Sequence, residues 1–255
     1  MRIKYIVPYP VDAAGLALRA SQIPATALDP STEVDVVTVR NVTLMGPRHY
    51  ADLIFDMYIT EAGLAAQDEG YDAVVMDTLS DSALFALRSR LSIPVIGPGI
   101  VAFAMAALLG KRFAIITMRD IGAEIYHKVL SQYDLGSKCA GVRIVDVPSN
   151  VTALLTGKEH TFGLFLEQAQ LALDEDRADV LIVGSTTMHQ IADYLRERLP
   201  VPVISGGSLA IKLAETIVNL GLSHSKVAFP APERRYDDAF LALVGLEPRD
   251  DHAGS

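Results

Sequence analysis

Short continuous apolar runs alternate along the chain with longer stretches in which apolar residues recur at helical spacing. The runs lie at residues 3–7, 34–39, 73–76, 95–96, 113–117, 142–147, 180–183 and 203–204. Helix-length stretches include residues 50–68, 82–91, 121–133, 161–175, 188–198 and 209–220. Runs that stay apolar throughout, rather than alternating with polar residues, fit strands buried on both faces of a parallel sheet. Strand and helix in alternation therefore predict an α/β fold.

The pattern also repeats. Ile93-Pro-Val-Ile-Gly-Pro-Gly returns as Val201-Pro-Val-Ile-Ser-Gly-Gly 108 positions later, and Asp72-Ala-Val-Val-Met-Asp-Thr returns as Asp179-Val-Leu-Ile-Val-Gly-Ser after 107. Val34-Asp-Val-Val-Thr-Val and Val142-Arg-Ile-Val-Asp-Val are again 108 apart, and residues 3–7 match 113–117 at 110. Four matches in one order predict two similar parallel-sheet halves, residues 1–108 and 109–220, related by pseudo-two-fold symmetry. A closing segment, 221–255, carries a predicted helix at 236–244 and a polar tail.

Residues 93–110 run for 18 positions without a charge, the length at which a membrane span becomes a candidate. Pro94, Gly97, Pro98 and Gly99 break its first third, which favours a short strand, a glycine turn and an Ala-rich buried helix. Composition narrows the class further. The chain has 255 residues, 50% of them hydrophobic and 21% charged, as a globular protein does. Its 22 Lys+Arg against 31 Asp+Glu give a net charge of −9. No basic cluster exists of the kind that binds a phosphate backbone, so nucleic acid is not an expected partner. The single cysteine, Cys139, cannot close an internal disulfide, and only three apolar residues separate Lys4 from Pro8, so a cytoplasmic address is expected. His49, His127, His160, His224 and His252 show no metal-binding spacing, so neither a metal nor another cofactor is expected.

Ligands of open parallel sheets bind beyond the carboxyl ends of the strands, and two facing halves would place two such ends across one cleft. The residues there are Val7-Pro-Tyr9 and Asp77-Thr78-Leu-Ser80-Asp81 from the first half, with Thr117-Met118 and Gly184-Ser185-Thr186-Thr187 from the second. Hydroxyls before helix starts, with the free N–H groups of a first turn, form a cradle for a small anion. The plainer alternative is that Ser80 and Thr186 only cap helices.

Five stretches carry a resemblance: Ser205 to Lys226, Gly110-Lys-Arg-Phe-Ala-Ile-Ile-Thr117, Ala140-Gly-Val-Arg-Ile-Val-Asp-Val-Pro148, the Gly46-Pro47 pair and Ser92-Ile-Pro-Val-Ile-Gly97. Through them residues 1–227 resemble the aspartate/glutamate/hydantoin racemase superfamily, in particular its hydantoin racemase branch. The resemblance implies two α/β halves with the active site between them, an oligomer, and two cysteines on opposite faces of the substrate carbon. Thr78 and Ser185 occupy those cysteine positions. An alkyl hydroxyl is too weak an acid to cycle protons without an adjacent base, so the two-thiol mechanism is not expected. Where the family has an Asn-Pro-Asn-Thr-like motif, this chain has Val7-Pro-Tyr-Pro10, and Thr117 stands where the family often carries a substrate-holding threonine.

The expected catalytic set is Thr78, Ser185, Asp77 and Asp81, with Tyr9, Ser80, Thr117 and Thr186 binding substrate. Asp77 and Asp81 bracket Thr78 and offer a carboxylate base if burial raises one of them. Ser185, His189 and Asp193 would share one face of a helix begun at Ser185. The favoured function is a cofactor-independent isomerase, decarboxylase or lyase acting beside a carboxylate or carbonyl of a small carboxylate or cyclic ureide. A hydrolase using Ser185 and an inactive anion-binding protein remain alternatives.

Overall fold

The computed structural model describes residues 1–23, 28–41, 49–118, 123–147 and 158–245. The Gly46-Pro47 pair, residues 121 and 122, Pro148, His252 and the polar tail from 246 onward lie outside the described residues, as does the His49 side chain.

In the first half, β1 (Arg2–Val7), β2 (Glu33–Thr38), β3 (Ala73–Met76) and β4 (Val95–Ile96) form a sheet in the order β2-β1-β3-β4. In the second, β5 (Phe113–Met118), β6 (Cys139–Val145), β7 (Val180–Val183) and β8 (Val203–Ser205) follow the order β6-β5-β7-β8. Every pairing is parallel, and Ile3 faces Ala73 as Phe113 faces Val180. The two sheets share one strand order, and the register of β1·β3 and β3·β4 recurs in β5·β7 and β7·β8, while β5·β6 carries an irregularity between Phe113 and Ala114 that β1·β2 lacks. β3, β5 and β7 are buried throughout, as unbroken apolar runs require, whereas the edge strand β2 is half-buried.

The helices are α1 (Ala13–Ala20), α2 (His49–Leu64), α3 (Leu84–Arg90), α4 (Pro98–Leu109), α5 (Glu124–Gln132), α6 (Lys158–Asp174), α7 (His189–Arg196), α8 (Gly206–Asn219) and α9 (Asp237–Leu243). α1 is absent from the predicted set. Its signal is Asp12, whose carboxylate accepts from Gly15 N at 2.8 Å and caps the first turn. α4 starts with Pro98 in the first turn, where a missing N–H does no harm. No helix among the described residues is long and apolar enough to cross a membrane.

Two expectations are corrected. β6 begins at Cys139, three residues before the apolar run, and ends before 146. It is an edge strand, half-buried along most of its length, so hydrophobicity does not mark its limits. α7 begins at His189, leaving Ser185 in the preceding loop, so Ser185, His189 and Asp193 do not lie on one helix. Asp193 is paired with Arg196 at 2.5 Å.

The halves are joined by an exchange of helices. α4 belongs to the first half, yet Ala102, Phe103 and Ala106 pack with Phe113, Ile115, Val180 and Ile182 of the second sheet. α8 belongs to the second half, and Ala210, Ile211 and Ala214 pack with Ile3, Tyr5, Ala73 and Val75 of the first. Small residues on both helices allow close approach: a Cβ on Gly206 would stand 3.1 Å from the Pro98 carbonyl. The segment after α8 is strapped to α3. Lys226 Nζ donates to the carbonyls of Arg88 (2.7 Å) and Leu91 (2.6 Å), and Arg90 meets Asp237 at 2.6 Å.

Phe165 of α6 is fully buried among Ala114, Ile116 and Leu181. Phe165→Ala is expected to lower stability by about 3–5 kcal/mol through the cavity it leaves. Urea denaturation checks this, with the midpoint falling and the slope unchanged.

Candidate active site

The two strand ends that follow β3 and β7 are built alike. Asp77 N donates to Ile6 O at 2.8 Å, and its counterpart Gly184 N donates to Ile116 O at 2.7 Å, each ending a strand against its central neighbour. One residue further stand Thr78 and Ser185. Thr78 Oγ1 is 2.8 Å from Ser80 Oγ and accepts from Ser80 N at 3.3 Å. Ser185 Oγ is 2.9 Å from Thr187 Oγ1 and accepts from Thr187 N at 3.3 Å. Each loop is therefore a tight turn held by its own first hydroxyl, with a second hydroxyl bonded to it.

Thr186 brings the two loops to one place. Its hydroxyl crosses from the second half and donates to the Asp77 carbonyl at 3.2 Å. Gly207, at the start of α8, lies so close that a Cβ would come within 3.3 Å of Thr186 Cβ and of Tyr5 Oη. The exchanged helix thus presses the second loop onto the first strand end. Of the predicted residues, Thr78, Ser80, Ser185 and Thr186 are gathered here, together with Thr187.

Asp77, Thr117 and Asp81 are held by contacts within the frame, and Tyr9 by a ring contact. Asp77 is buried, accepts from Tyr5 Oη at 2.5 Å and lies 3.3 Å from Arg19 Nη1. That Arg19 contact is an ion pair without hydrogen-bond alignment. Burial raises the Asp77 carboxyl above its ordinary value, with Arg19 opposing, and burial with the Asp77 charge holds the Tyr5 hydroxyl well up. Around them is a cavity of about 10 Å³ touching Thr186 and Gly207. Tyr9 is half-buried with the Arg19 guanidinium 5.0 Å from its ring centre. Thr117 is fully buried, 2.8 Å from Tyr126 Oη, which itself donates to the Gly184 carbonyl. Thr117 and Tyr126 therefore fix the strand end that presents Ser185, as Tyr5 and Arg19 fix the end that presents Thr78.

Asp81 completes the first half from below. Its carboxylate accepts from Gly99 N and Ile100 N, both at 2.7 Å, and from Tyr133 Oη at 2.9 Å. It caps α4 from outside the helix, and a Cβ on Gly99 would be 2.4 Å from the Leu79 carbonyl. In the second half Met188 takes the corresponding place in sequence. Cys139 stands at the amino end of β6, the end away from these loops, with its thiol raised by burial. Among the described residues no group of three His, Cys, Asp or Glu side chains is placed to hold a metal.

Sequence reasoning missed Asp56, Tyr5, Arg19, Tyr126 and Tyr133. Asp56 lies on α2, accepts from Ala83 N at 3.0 Å and stands beside the Ser82 hydroxyl. Ser82 Oγ in turn is 2.8 Å from Ser80 Oγ. The available signal is a carboxylate inside the apolar run 53–59, directly beside Phe55. Tyr5 gave no signal, because its ring completes the apolar run of β1.

Two repeated four-stranded parallel sheets, with paired hydroxyl loops meeting beyond their carboxyl ends, define the class as a two-half α/β protein. The Asp/Glu/Hydantoin racemase family model matches residues 20–214, and the chain belongs to that family. A hydantoin racemase of Rhizobium meliloti is 33% identical over 159 residues, 62% of this chain and 65% of that protein, so the aligned part spans just under two thirds of that relative. The solved allantoin racemase from Klebsiella pneumoniae superposes with a TM-score of 0.81 at 30% identity, covering 92% of this chain and 95% of that one. Allantoin racemase from Pseudomonas fluorescens gives 0.82 at 26%, covering 92% and 98%.

Asp81 supplies a pH test. Burial lifts its carboxyl from 3.8 to about 6, against the bonds from Ile100, Gly99 and Tyr133. A raised folded-state value means that its contribution to stability is fully present below pH 3.8 and is lost as pH rises through about 6. The stability of the wild type minus that of Asp81→Asn is therefore expected to fall across this window. Denaturant midpoints of both proteins at a series of pH values check it.

Proposed function

We propose that the chain is an enzyme that moves a proton at a carbon adjacent to a carbonyl or carboxylate of a small molecule, and that it does so with hydroxyls at the positions where the family resemblance implies cysteines. The observation that carries this reading is the matched pair of hydroxyl loops at Thr78–Ser80 and Ser185–Thr187, one from each half, at the carboxyl ends of equivalent strands. Relatives named for hydantoin and allantoin support a cyclic ureide as substrate class, with small carboxylates as the alternative.

In this reading a substrate lies between the halves with its acidic carbon facing Thr78 and Ser185. Loss of the proton leaves an enolate, and the loop N–H groups and hydroxyls stabilise the charge that develops on its oxygen. Asp77 and Asp81 set the positions of the loops, and Tyr9, Ser80, Thr117 and Thr186 shape or support the substrate pocket. No cofactor takes part in this reading, and the enzyme is a cytoplasmic homo-oligomer. Isomerisation, decarboxylation and lyase chemistry all pass through such an enolate, and the product formed distinguishes them.

The test is proton NMR in D₂O with 5-substituted hydantoins, allantoin, amino acids and arylmalonates. At least one cyclic ureide is expected to lose its α-proton signal, and Thr78→Ala to slow that loss by about 10²-fold or more. Exchange that survives both Thr78→Ala and Ser185→Ala unchanged would overturn the reading. Hydrolysis abolished by Ser185→Ala alone, or tight binding without any exchange, would replace it with the hydrolase or the binding protein.

A further inference from the structure

The hydroxyl loop of the first half continues past the cleft. Thr78 Oγ1, Ser80 Oγ and Ser82 Oγ are linked in steps of 2.8 Å, and the Asp56 carboxylate accepts at 3.0 Å from the N–H of Ala83, the residue after Ser82, with the Ser82 hydroxyl favouring its charged form. The two hydroxyl contacts admit either direction of donation; with Asp56 ionised and accepting from Ser82, Ser80 donates to Ser82 and Thr78 to Ser80. Ser80 N already donates to Thr78 Oγ1, which agrees with that direction. Asp56, Ser80 and Ser82 also line a cavity of about 130 Å³ shared with Lys128, Gln132 and Tyr133 of the second half. The cavity is large enough for several waters, which would exchange protons with Asp56.

We propose that Asp56 is the terminal proton acceptor for Thr78, reached through the hydroxyls of Ser80 and Ser82. The proposal rests on the proton-transfer reading above. The substrate C–H bond breaks and its electron pair passes into the adjacent carbonyl as an enolate. Thr78 Oγ1 takes the proton while its own moves to Ser80, that of Ser80 to Ser82, and that of Ser82 to Asp56. The carboxylate becomes a carboxylic acid, the substrate becomes an anion, and every hydroxyl is restored, so threonine never exists as an alkoxide. Reversal returns a proton to the carbon.

The second half does not repeat this path. Phe55 and Ile59 of α2 correspond to Phe165 and Ala169 of α6, each pair 110 apart and each buried in its own core. That register sets Leu166 where Asp56 stands, and His189 follows Thr187 where Ser82 follows Ser80. The two hydroxyls therefore face chemically different surroundings. Burial raises Asp56, opposed by Ser82, the Ala83 N–H and Lys128, while Asp52 adds to the rise. Lys128 is itself paired with Asp52 at 3.2 Å, and Asp81 and Tyr133 border the same cavity.

A thiol placed at each position reports the coupling without any substrate. In a Cys139→Ser background, iodoacetamide alkylation of Thr78→Cys and of Ser185→Cys is followed against pH by mass spectrometry. Adding Asp56→Asn is expected to lower the midpoint at position 78 by about one pH unit, because the negative charge that opposes a thiolate is gone. Ser82→Ala is expected to lower it likewise, and neither change to move the midpoint at 185. No shift with Asp56→Asn overturns the proposal. A shift with Asp56→Asn that Ser82→Ala fails to reproduce also overturns it, because the charge then acts through space. With any substrate that the wild type exchanges, Ser82→Ala should lower kcat at unchanged KM and Ser82→Thr should restore it. Silence of the wild type on every substrate counts against the functional reading alone, since the thiol titration decides the relay.

Discussion

The exchange of α4 and α8 between the halves is the constraint on which the site depends. A parallel sheet needs cover on both faces, and here each half borrows one cover from the other. The apolar faces of α4 and α8 cannot be buried without bringing the two strand-end loops together. Thr186 reaching the Asp77 carbonyl and Gly207 lying against Tyr5 are local consequences of that packing. The meeting of the two loops is therefore a product of core formation.

Around that frame the two halves diverge in polarity. Both keep the strand-end turn with its paired hydroxyls, which depends only on local hydrogen bonding. Behind it the first half carries charge: Asp77 with Arg19 and Tyr5, Asp81 capping α4, and Asp56 at the cavity by Lys128. The second half replaces the first of these with Gly184 and its bond from Tyr126, and the others with Met188 and Leu166 in sequence. A nearly symmetric scaffold thus presents two hydroxyls whose acidities are set by different neighbours. Such a difference suits a site in which one group takes a proton and the other serves another purpose.

The strands were legible because their burial on two faces leaves an unbroken apolar run, and residues 73–76, 95–96 and 180–183 fall on the observed limits. Repetition of those runs exposed the two sheets. The edge strand β6 was misjudged at both ends, since a half-exposed strand carries no such run. The position of Thr78, Ser80, Ser185 and Thr186 just beyond β3 and β7 was legible because they directly follow the apolar runs. Tyr5, Tyr126 and Asp56 could not be named, because their bonds with Asp77, Gly184 and Ala83 join positions 72, 58 and 27 residues apart and depend on tertiary placement. For Asp81 the same limit holds: its place beyond β3 was legible, and its bonds to the Gly99 and Ile100 N–H groups at the amino end of α4 were not.

The most direct measurement is a crystal structure with a 5-substituted hydantoin bound. The account predicts the ring between the two strand-end loops, its acidic carbon about 3.5 Å from Thr78 Oγ1 and on the side of the cleft opposite Ser185. A ligand found instead in the groove of about 330 Å³ beside β8, among His189, Arg196, Ser205 and Lys212, with the loops empty, would contradict it.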